Sequence, residues 1–511
     1  MKTDNGESAS AWMAVADIPS AGPLLDNAEA DVCVVGAGIA GLTTAYLLAR
    51  EGRHVVVLDD GPIGGGMTAR TTAHLSNALD DRFYELERLF GAAGARGAAE
   101  SHTAAIARIE AIVDDEQIEC ELERVDGFLF LPEGGEMQLL EDELAAAHRA
   151  GLSDVERLSR APIDAFDTGP CLRFPRQGQF HPLQYLAGLA RAIERDGGRM
   201  HTGTHAATIA GGDHARVETA GGAVVTCGAI VVATNTPVND LVAIHTKQAA
   251  YISYVVGARI PRGSVPRLLL WDAPSDLNAP YHYVRVRSAA DHDLLIVGGE
   301  DHKTGQQRDA SDPWGKLERW MRARFPMIEA VELRWSGQVM EPVDGLAFIG
   351  RNPLDHQNVF IATGDSGMGM THGTIAGILL TDLIQERRNP WADLYDPSRK
   401  TLAALPDFAR ENVNVAAQYT DLATPGGVRS ADDIRPGTGA VLRRGLTKVA
   451  VYRDADGTLQ EHSAICPHLG CVVTWNGAEQ TWDCPCHGSR FHRDGHVVHG
   501  PANRGLAPLR E

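Results

Sequence analysis

The sequence predicts an α/β protein that ends in a small all-β domain, and three observations lead to this prediction. The first is length, because 511 residues exceed what one compact core usually holds, so two or three domains are expected. The second is a strand, glycine turn, helix and strand pattern over residues 30–60. The third is a set of short alternating strands near the C-terminal end, such as KVAVYRD and CVVTWN, separated by turn residues.

Composition excludes some classes of partner. The chain carries 47 Lys and Arg against 67 Asp and Glu, a net charge of -20, and this argues against binding nucleic acid or an anionic membrane surface. The first twenty residues lack the basic start and apolar core of a signal peptide, and no stretch approaches the roughly 20 apolar residues of a membrane span. We therefore expect a cytoplasmic protein without a transmembrane segment.

The first element is a glycine-rich turn between a strand and a helix. The letters GAGIAG follow the apolar run VCVV, and a second apolar run ends at Asp59 and Asp60. In this pattern Gly36 makes the tight turn, Gly38 lets the main chain approach a pyrophosphate, and Gly41 allows the helix to pack on the strand. Asp59 stands where a carboxylate accepts hydrogen bonds from a ribose. The pattern predicts a Rossmann-like dinucleotide site; a glycine turn without a ligand is the alternative.

Two further stretches favour FAD over NAD at this site. GPIGGGMTARTTAHLS (61–76) is suited to wrapping the phosphates and ring of a cofactor. NVFIATGDSGMGMTHGTIAGILLTDLI (358–384) predicts a strand, a glycine-rich turn and a helix. The positive N-terminal end of that helix would face a reduced flavin, which carries negative charge at one edge. The predicted FAD contacts in these stretches are Thr68, Arg70, Thr71, Thr72, Gly364, Gly367, Gly369, Met370 and Thr371.

Together these pieces resemble the D-amino-acid oxidase and glycine oxidase superfamily of FAD enzymes, over about residues 30–391. Residues 178–198 look like a helix of that superfamily, and residues 227–238 look like its strand and flavin-side loop, with Ala233 and Thr234 at the cofactor. The resemblance implies an FAD-binding domain and an interleaved α+β substrate domain. The implied FAD segments are about 30–90, 178–245 and 340–390, and the substrate segments are about 91–177 and 246–339, after an N-terminal extension over 1–29. The sequence has no second GxGxxG after a strand, so an organic electron donor is expected rather than a nicotinamide.

Near the C-terminal end, two short loops combine cysteine with histidine. CPHLGC supplies Cys466 and His468, and CPCHGS supplies Cys484 and His487. Zinc sites of two cysteines and two histidines usually pair like with like, whereas here each loop gives one of each. This arrangement suits a [2Fe-2S] cluster in which the thiolates hold one iron and the imidazoles the other. Zinc remains the alternative.

The loops resemble those of Rieske proteins, and the resemblance covers about residues 434–511, after a connector over 391–433. In Rieske proteins of the cytochrome bc type, the cysteines that match Cys471 and Cys486 form a disulfide between the cluster loops. The resemblance therefore implies the same bridge here, although cytoplasmic thiols are normally kept reduced. The pair Gly500-Pro501 is similar to the proline loop that shields the cluster in that family.

The same resemblance bears on the cluster potential. Ser489 matches a serine that donates a hydrogen bond to a cluster sulfide in high-potential Rieske proteins, whereas Phe491 stands where those proteins carry a tyrosine. Hydrogen bonds to sulfur stabilise the reduced, more negative cluster. We expect a potential inside the Rieske range of about −150 to +300 mV and below its top.

The whole chain resembles bacterial FAD-dependent oxidoreductases with a C-terminal Rieske domain, related to glycine oxidase and γ-glutamylputrescine oxidase. This implies oxidation of a small amine or amino acid by FAD, then single-electron transfer to the cluster and to an acceptor protein or quinone. The alternative is an electron-transfer reductase or redox sensor that oxidises no substrate of its own. A Rieske oxygenase does not fit, because little chain follows His487 to hold the mononuclear iron and its domain.

The superfamily resemblance implies that arginine and tyrosine hold a substrate carboxylate, as bidentate geometry favours. Strand alternation places Tyr283, Arg285 and Arg287 on one face, and a solvent-facing strand is the alternative. The candidates for the catalytic pocket are Arg285, Tyr254, Tyr283 and His74, with Tyr251 and His302 as further pocket residues.

Overall fold

A computed structural model describes residues 6–14, 17–239, 243–273, 281–307 and 312–509. Its α-helices are α1 (Ile39–Arg50), α2 (Phe83–Glu116), α3 (Met137–Arg149), α4 (Pro182–Arg195), α5 (Pro313–Arg324), α6 (Gly369–Ile384), α7 (Ala392–Tyr395) and α8 (Leu405–Gln418). None of the helices in the described part of the chain combines the length and apolarity that crossing a membrane requires.

The strands of the described residues fall into four sheets. Their bounds are β1 (Ala28–Val35), β2 (Val55–Leu58), β3 (His74–Leu75), β4 (Glu123–Phe130), β5 (Glu156–Leu158), β6 (Cys171–Gln179), β7 (Arg199–His201), β8 (Ala206–Ala210), β9 (Arg216–Thr219), β10 (Val224–Val232), β11 (Gln248–Ile260), β12 (Leu269–Asp272), β13 (His282–Ser288), β14 (Asp293–Lys303), β15 (Ala330–Pro342), β16 (Phe348–Arg351), β17 (Val359–Thr363), β18 (Thr438–Arg444), β19 (Thr447–Arg453), β20 (Leu459–Ser463), β21 (Thr474–Asn476), β22 (Thr481–Asp483), β23 (Arg490–His492) and β24 (Val497–His499).

The first sheet is the nucleotide-binding one and has the order β16-β17-β10-β1-β2-β7, with β8 and β9 at the side. Its central strands β17, β10, β1, β2 and β7 run parallel. Val32 and Val34 of β1 belong to the core under one face, and Cys33 and Val35 belong to the core under the other. Burial on both faces explains why the strand reads as a continuous apolar run. The α/β prediction is confirmed.

The second sheet, largely antiparallel, has the order β15-β11-β14-β13-β12-β4-β6-β3, with β5 paired to β6. One face packs on α5, where Leu317 and Met321 join alternate residues of β11 in an apolar core. The opposite face of β11 turns toward the first sheet and contributes Ser253 and Val255 to a large cavity. The sheet therefore forms a cover over the nucleotide-binding unit.

The C-terminal part is a small all-β unit, as predicted. The three-stranded sheet β18-β19-β20 and the four-stranded sheet β21-β22-β23-β24 make up its strands. Its core contains Cys466, Cys471, Cys484 and Cys486, packed with Trp482 and other apolar side chains. The two cysteine-containing loops therefore lie inside the core of this unit.

The N-terminal segment, residues 6–14, packs between the two large units and the C-terminal one. Trp12 is fully buried, and its indole Nε1 donates to the carbonyl of Thr71 at 2.6 Å. Ser8 Oγ donates to a carboxylate oxygen of Glu479 at 2.5 Å. This part of the chain, predicted only as an extension, thus touches both the cofactor loop at 61–76 and the C-terminal unit.

Candidate active site and metal centre

A cavity of about 880 Å³ lies at the carboxyl ends of the parallel strands, between the two sheets and the C-terminal unit. The predicted FAD contacts that line it are Gly36, Gly38, Asp59, Asp60, Thr68, Arg70, Thr71, Thr72, Ala233, Thr234, Gly367, Gly369 and Met370. The other three predicted contacts, Gly41, Gly364 and Thr371, are not among its lining residues. Segments far apart in sequence thus meet at one cavity.

The glycine turn fits a dinucleotide cofactor. Gly36 has φ of 110°, and a Cβ there would lie 2.4 Å from the carbonyl oxygen of Ala233. A Cβ on Gly41 would lie 1.9 Å from the carbonyl oxygen of Gly36, so the turn and α1 pack at the closest possible approach. Gly38 caps α1 and lines the cavity, so the positive helix end faces the space where a pyrophosphate would bind.

Asp59 holds this turn through its carboxylate. Its Oδ2 accepts from the main-chain N–H of Ala37 at 2.6 Å, and its Oδ1 accepts from that of Gly61 at 2.8 Å. Burial, with a contribution from Asp60, raises the pKa of Asp59 to about 7. His205, 3.4 Å from the carboxylate of Asp60, lowers the pKa of Asp60. Both acids line the cavity where the adenosine ribose is expected.

Arg70 lines the cavity and also forms a buried ion pair with the C-terminal unit. Its Nη1 lies 3.5 Å from Glu479 Oε1, and both side chains are fully buried. The same nitrogen donates to the carbonyl of Ser336 at 2.9 Å, and Ser336 Oγ donates to Glu479 at 2.5 Å. Burial lowers the pKa of Arg70. Its guanidinium therefore joins the cofactor loop to the C-terminal unit.

Tyr283 and His74 lie on the substrate-sheet wall of the cavity. The Tyr283 hydroxyl is 2.7 Å from Ser253 Oγ. The ring centroids of Tyr283 and His74 are 5.7 Å apart. His74 Nε2 lies 3.3 Å from the carbonyl of Val284, which can only accept, so this nitrogen carries the proton. Its Nδ1 accepts from Thr72 Oγ1 at 3.0 Å. Burial, reinforced by Arg285, lowers the pKa of His74 to about 3.

Arg285 and Tyr254 lie outside the cavity lining. Arg285 Nη1 donates to the carbonyls of Thr72 at 2.9 Å and Ala73 at 2.8 Å, so it supports the cofactor loop from behind. Tyr254 is on the opposite face of β11, fully buried, with its ring centroid 5.5 Å from that of His302. Of the four predicted catalytic residues, the structure therefore brings Tyr283 and His74 together at the cavity.

Acidic side chains, which the sequence patterns did not single out, line the same part of the cavity. Asp80 and Asp365 are both lining residues, and burial raises the pKa of each to about 6. The side chain of Tyr281 hydrogen-bonds Asp80. The lysine and arginine side chains among the lining residues are Arg70, engaged with Glu479, and Arg504, which belongs to the C-terminal unit. This wall suits a cationic group better than a carboxylate.

The C-terminal unit brings the four predicted metal ligands together in two loops of similar form. Gly470 N donates to the carbonyl of Cys466 at 3.0 Å, and Gly488 N donates to that of Cys484 at 3.1 Å. The rings of the two histidine ligands, His468 and His487, have centroids 5.0 Å apart. Among the described residues, His487 Nδ1 is buried without a hydrogen-bond partner, as expected of a nitrogen that binds metal.

The spacing of the ligands fits two metal ions better than one. Within the described ranges, no three of Cys466, His468, Cys484 and His487 belong to a group whose ligand atoms all lie within 4.8 Å of one another. A single zinc would require all four around one point. The [2Fe-2S] cluster therefore fits this donor set, with the cysteines on one iron and the histidines on the other.

The surroundings of the loops agree with the predicted cluster site. Cys471 and Cys486 form the predicted disulfide, which links the two loops. The Ser489 side chain hydrogen-bonds Cys466. The pKa of Cys466 is lowered mainly by its hydrogen bond with Cys484, and the contact with Ser489 contributes to the same shift. Phe491 is fully buried in the same core. Its phenyl ring offers no hydrogen-bond donor to a sulfur.

The cluster loops face the flavin-binding unit. His245, in the segment between β10 and β11, is 2% exposed, and its ring centroid lies 4.9 Å from that of His468 and 5.9 Å from that of His487. At the cavity, Asn235 Nδ2 is 3.2 Å from His499 Nε2, and Gly500 is a lining residue. The C-terminal unit is thus a wall of the cavity as well as the holder of the metal site.

This fold and these two sites define a flavoenzyme with an attached iron–sulfur centre. The family described as FAD dependent oxidoreductase matches residues 31–383, and the Rieske [2Fe-2S] domain matches residues 425–510. The chain belongs to this FAD-dependent oxidoreductase family and carries a C-terminal Rieske domain. Its cofactors are FAD and a [2Fe-2S] cluster.

Known proteins resemble the whole chain and its parts. The putative Rieske 2Fe-2S iron-sulfur protein YhfW of Bacillus subtilis is 31% identical over 98% of this chain and 96% of its own length. The γ-glutamylputrescine oxidoreductase of Escherichia coli is 28% identical over 73% of this chain and 88% of its own length. The crystal structure of glycine oxidase from Geobacillus kaustophilus covers 73% of this chain and all of its own with a TM-score of 0.59 at 18% identity, which shows the shared fold.

Proposed function

We propose that this protein oxidises a small amine or amino acid at the flavin cavity and sends the electrons singly through its cluster to an external acceptor protein or quinone. The observation that carries the proposal is the shared wall. Residues of the Rieske domain line the flavin cavity, and His245 of the flavin-binding unit lies against both histidine ligands of the cluster. The close contact between the flavin cavity and the cluster site supports electron transfer within one chain.

FAD, when bound, supplies an acceptor for the two electrons taken from a carbon next to nitrogen or oxygen. The chain's own residues then position the donor. Tyr283 and His74 form the wall beside which it would lie, while Arg285 holds the carbonyls of the cofactor loop. Tyr254, fully buried on the far face of β11, supports this sheet by packing.

The acidic wall favours the amine as the group recognised. Asp80 and Asp365 face the cavity, and each can accept a hydrogen bond from an ammonium group once ionised. The name of the Escherichia coli relative, γ-glutamylputrescine oxidoreductase, likewise states an amine derivative. We therefore place primary and secondary amines ahead of carboxylate-bearing donors.

Anaerobic mixing of the holoprotein with candidate amines and N-methyl amino acids tests the proposal. Absorption follows the flavin, and EPR follows the cluster. We expect one donor to bleach the flavin band and the reduced-cluster signal to appear afterwards. If no organic donor bleaches the flavin, while an external reductant protein reduces the cluster, the chain is instead an electron-transfer reductase or redox sensor.

A further inference from the structure

Gln338 connects the flavin cavity to the cluster loop. This residue of β15 lines the cavity and is only 2% exposed. Its side chain leads away from the cavity into the domain boundary, where Nε2 donates to the carbonyl of Gly488 at 2.8 Å and to Thr304 Oγ1 at 3.1 Å. A single residue therefore reaches from the flavin cavity to the Rieske domain.

The hydrogen bond ends inside the loop that holds the cluster. Gly488 directly follows the ligand His487, and its N–H donates to the carbonyl of the ligand Cys484. The approach is close, because a Cβ on Gly488 would lie 2.7 Å from Gln338 Nε2 and 2.3 Å from the Cβ of Ala250. The contact thus requires glycine at this position of the cluster loop.

The amide of Gln338 is suited to this place. It is neutral, so it can be buried without the cost of an isolated charge, and it supplies the donor that the Gly488 carbonyl needs. Its Oε1 is buried and has no hydrogen-bond partner among the described residues. The donor side of the amide therefore holds the loop, while the acceptor stays buried at the domain boundary.

We propose that Gln338 is the positioning residue for internal electron transfer: it holds the cluster loop against the flavin cavity and provides a covalent and hydrogen-bonded route between them. This inference rests on the proposed transfer from FAD to the cluster. Each transfer would take one electron from reduced FAD and convert one ferric iron of the cluster to ferrous. Over the two transfers, the negatively charged reduced flavin would release one proton to water. The second electron follows when the cluster has reduced its external acceptor.

The test compares two leucine variants of the holoprotein. Gln338→Leu removes the amide that joins the cavity wall to the cluster loop. Gln306→Leu is the matched control, because Gln306 Nε2 also donates to a carbonyl of that loop, Pro485, at 3.0 Å. Gln306 does not line the flavin cavity but a small separate cavity beside α8. Both variants lose one amide hydrogen bond to the cluster loop, but only Gln338→Leu loses the link to the flavin cavity.

Light-driven reduction of the flavin with EDTA as electron donor starts the reaction without any organic substrate. Flavin absorption and the EPR signal of the reduced cluster then report the internal transfer. We expect Gln338→Leu to slow this transfer several-fold and Gln306→Leu to leave it near the native rate, with native FAD and iron contents in both. Transfer at the native rate in Gln338→Leu would overturn the inference.

Two further measurements separate a slower internal electron transfer from misfolding and from a change in the cluster potential. Gln338→Met conserves side-chain volume and flexibility, so it replaces the leucine variant if that protein does not fold, and we expect the same slowing. The cluster potential should stay unchanged in either variant, and a potential shift large enough to explain the slower rate would contradict a positioning role. If the native protein itself transfers no electron after light reduction, the proposed function fails rather than this inference alone.

Discussion

Phe491 is a single side chain that we expect to influence the cluster potential. It is fully buried in the core that contains the cluster-loop cysteines, where its ring packs but donates no hydrogen bond. Phe491→Tyr would place a hydroxyl in that core. One added hydrogen bond that favours the reduced cluster is worth about 1 kcal/mol, which corresponds to about 40 mV for a one-electron couple.

We therefore expect Phe491→Tyr to raise the cluster potential by about that amount, measured by redox titration followed by EPR. Phe360→Tyr, a change in the flavin-binding unit away from the cluster, is the control and should leave the potential unchanged. An unchanged or lower potential in Phe491→Tyr would refute the hydrogen-bond argument.

At the residue scale, sequence predicts what is local. The prediction of Cys466 and His468 as ligands uses only their spacing within one loop, so it needs no knowledge of the fold. The partners of Arg285 are carbonyls of Thr72, Ala73 and Phe180, far away along the chain, and no pattern around position 285 indicates them. An arginine side chain in a strand can face a substrate or a loop, and tertiary packing decides which of the two it contacts.

The element made of β1, the glycine turn and α1 depends on close backbone contact at Gly41. Gly41→Ala would push a methyl group to within 1.9 Å of the Gly36 carbonyl oxygen, so α1 or the turn must move. We expect the purified variant to contain less FAD and to melt at a lower temperature. Gly22→Ala is the control, because a Cβ there meets no atom within 4 Å. A full FAD content in Gly41→Ala, measured from absorption, would count against this role of the turn.

Elements with a strong local pattern were predictable. The strand and helix at residues 30–60 are present as β1, α1 and β2. Alternation holds in β13, where Val284 and Val286 belong to the core beside α5 and Tyr283 and Arg285 do not. Alternation gives only the relative facing of residues within one strand. Tyr254 of β11 faces α5 while its neighbours Ser253 and Val255 face the cavity, and that absolute choice depends on which layer covers each side.

At the scale of the whole molecule, the Arg70–Glu479 ion pair joins the flavin-binding unit to the Rieske domain. Both side chains are fully buried. Glu479→Ala would leave the Arg70 charge without its partner, and breaking a buried pair on one side costs about 3–5 kcal/mol. We expect a clear fall in melting temperature. The double variant Arg70→Met/Glu479→Leu should lose less stability than Glu479→Ala, because it leaves no buried charge.

A surface pair provides the comparison for this prediction. Arg444 and Glu461 form an ion pair with side chains 51% and 20% exposed. Glu461→Ala should cost at most about 1 kcal/mol, as exposed pairs do. Thermal unfolding of the four proteins, followed by circular dichroism, measures the differences. Equal losses in Glu479→Ala and Glu461→Ala would contradict the structural importance of the buried pair.

The domains themselves were predictable from motifs, whereas their mutual arrangement was not. The contacts of Gln338 with Gly488 and of Arg70 with Glu479 join positions separated by 150 and 409 residues. No pattern around any of these residues indicates its partner in the other domain. Contacts between domains have no periodicity or spacing, so the shared wall between the two cofactor sites emerges only when the chain is folded.

The position of the N-terminal segment imposes an order on biosynthesis. Ser8 is made 471 residues before its partner Glu479. At about 5–20 residues per second, a ribosome needs roughly 25 to 95 seconds to deliver that partner. Ser8 therefore lacks this partner until the Rieske domain has emerged, whereas Trp12 of the same segment can meet the carbonyl of Thr71 much earlier.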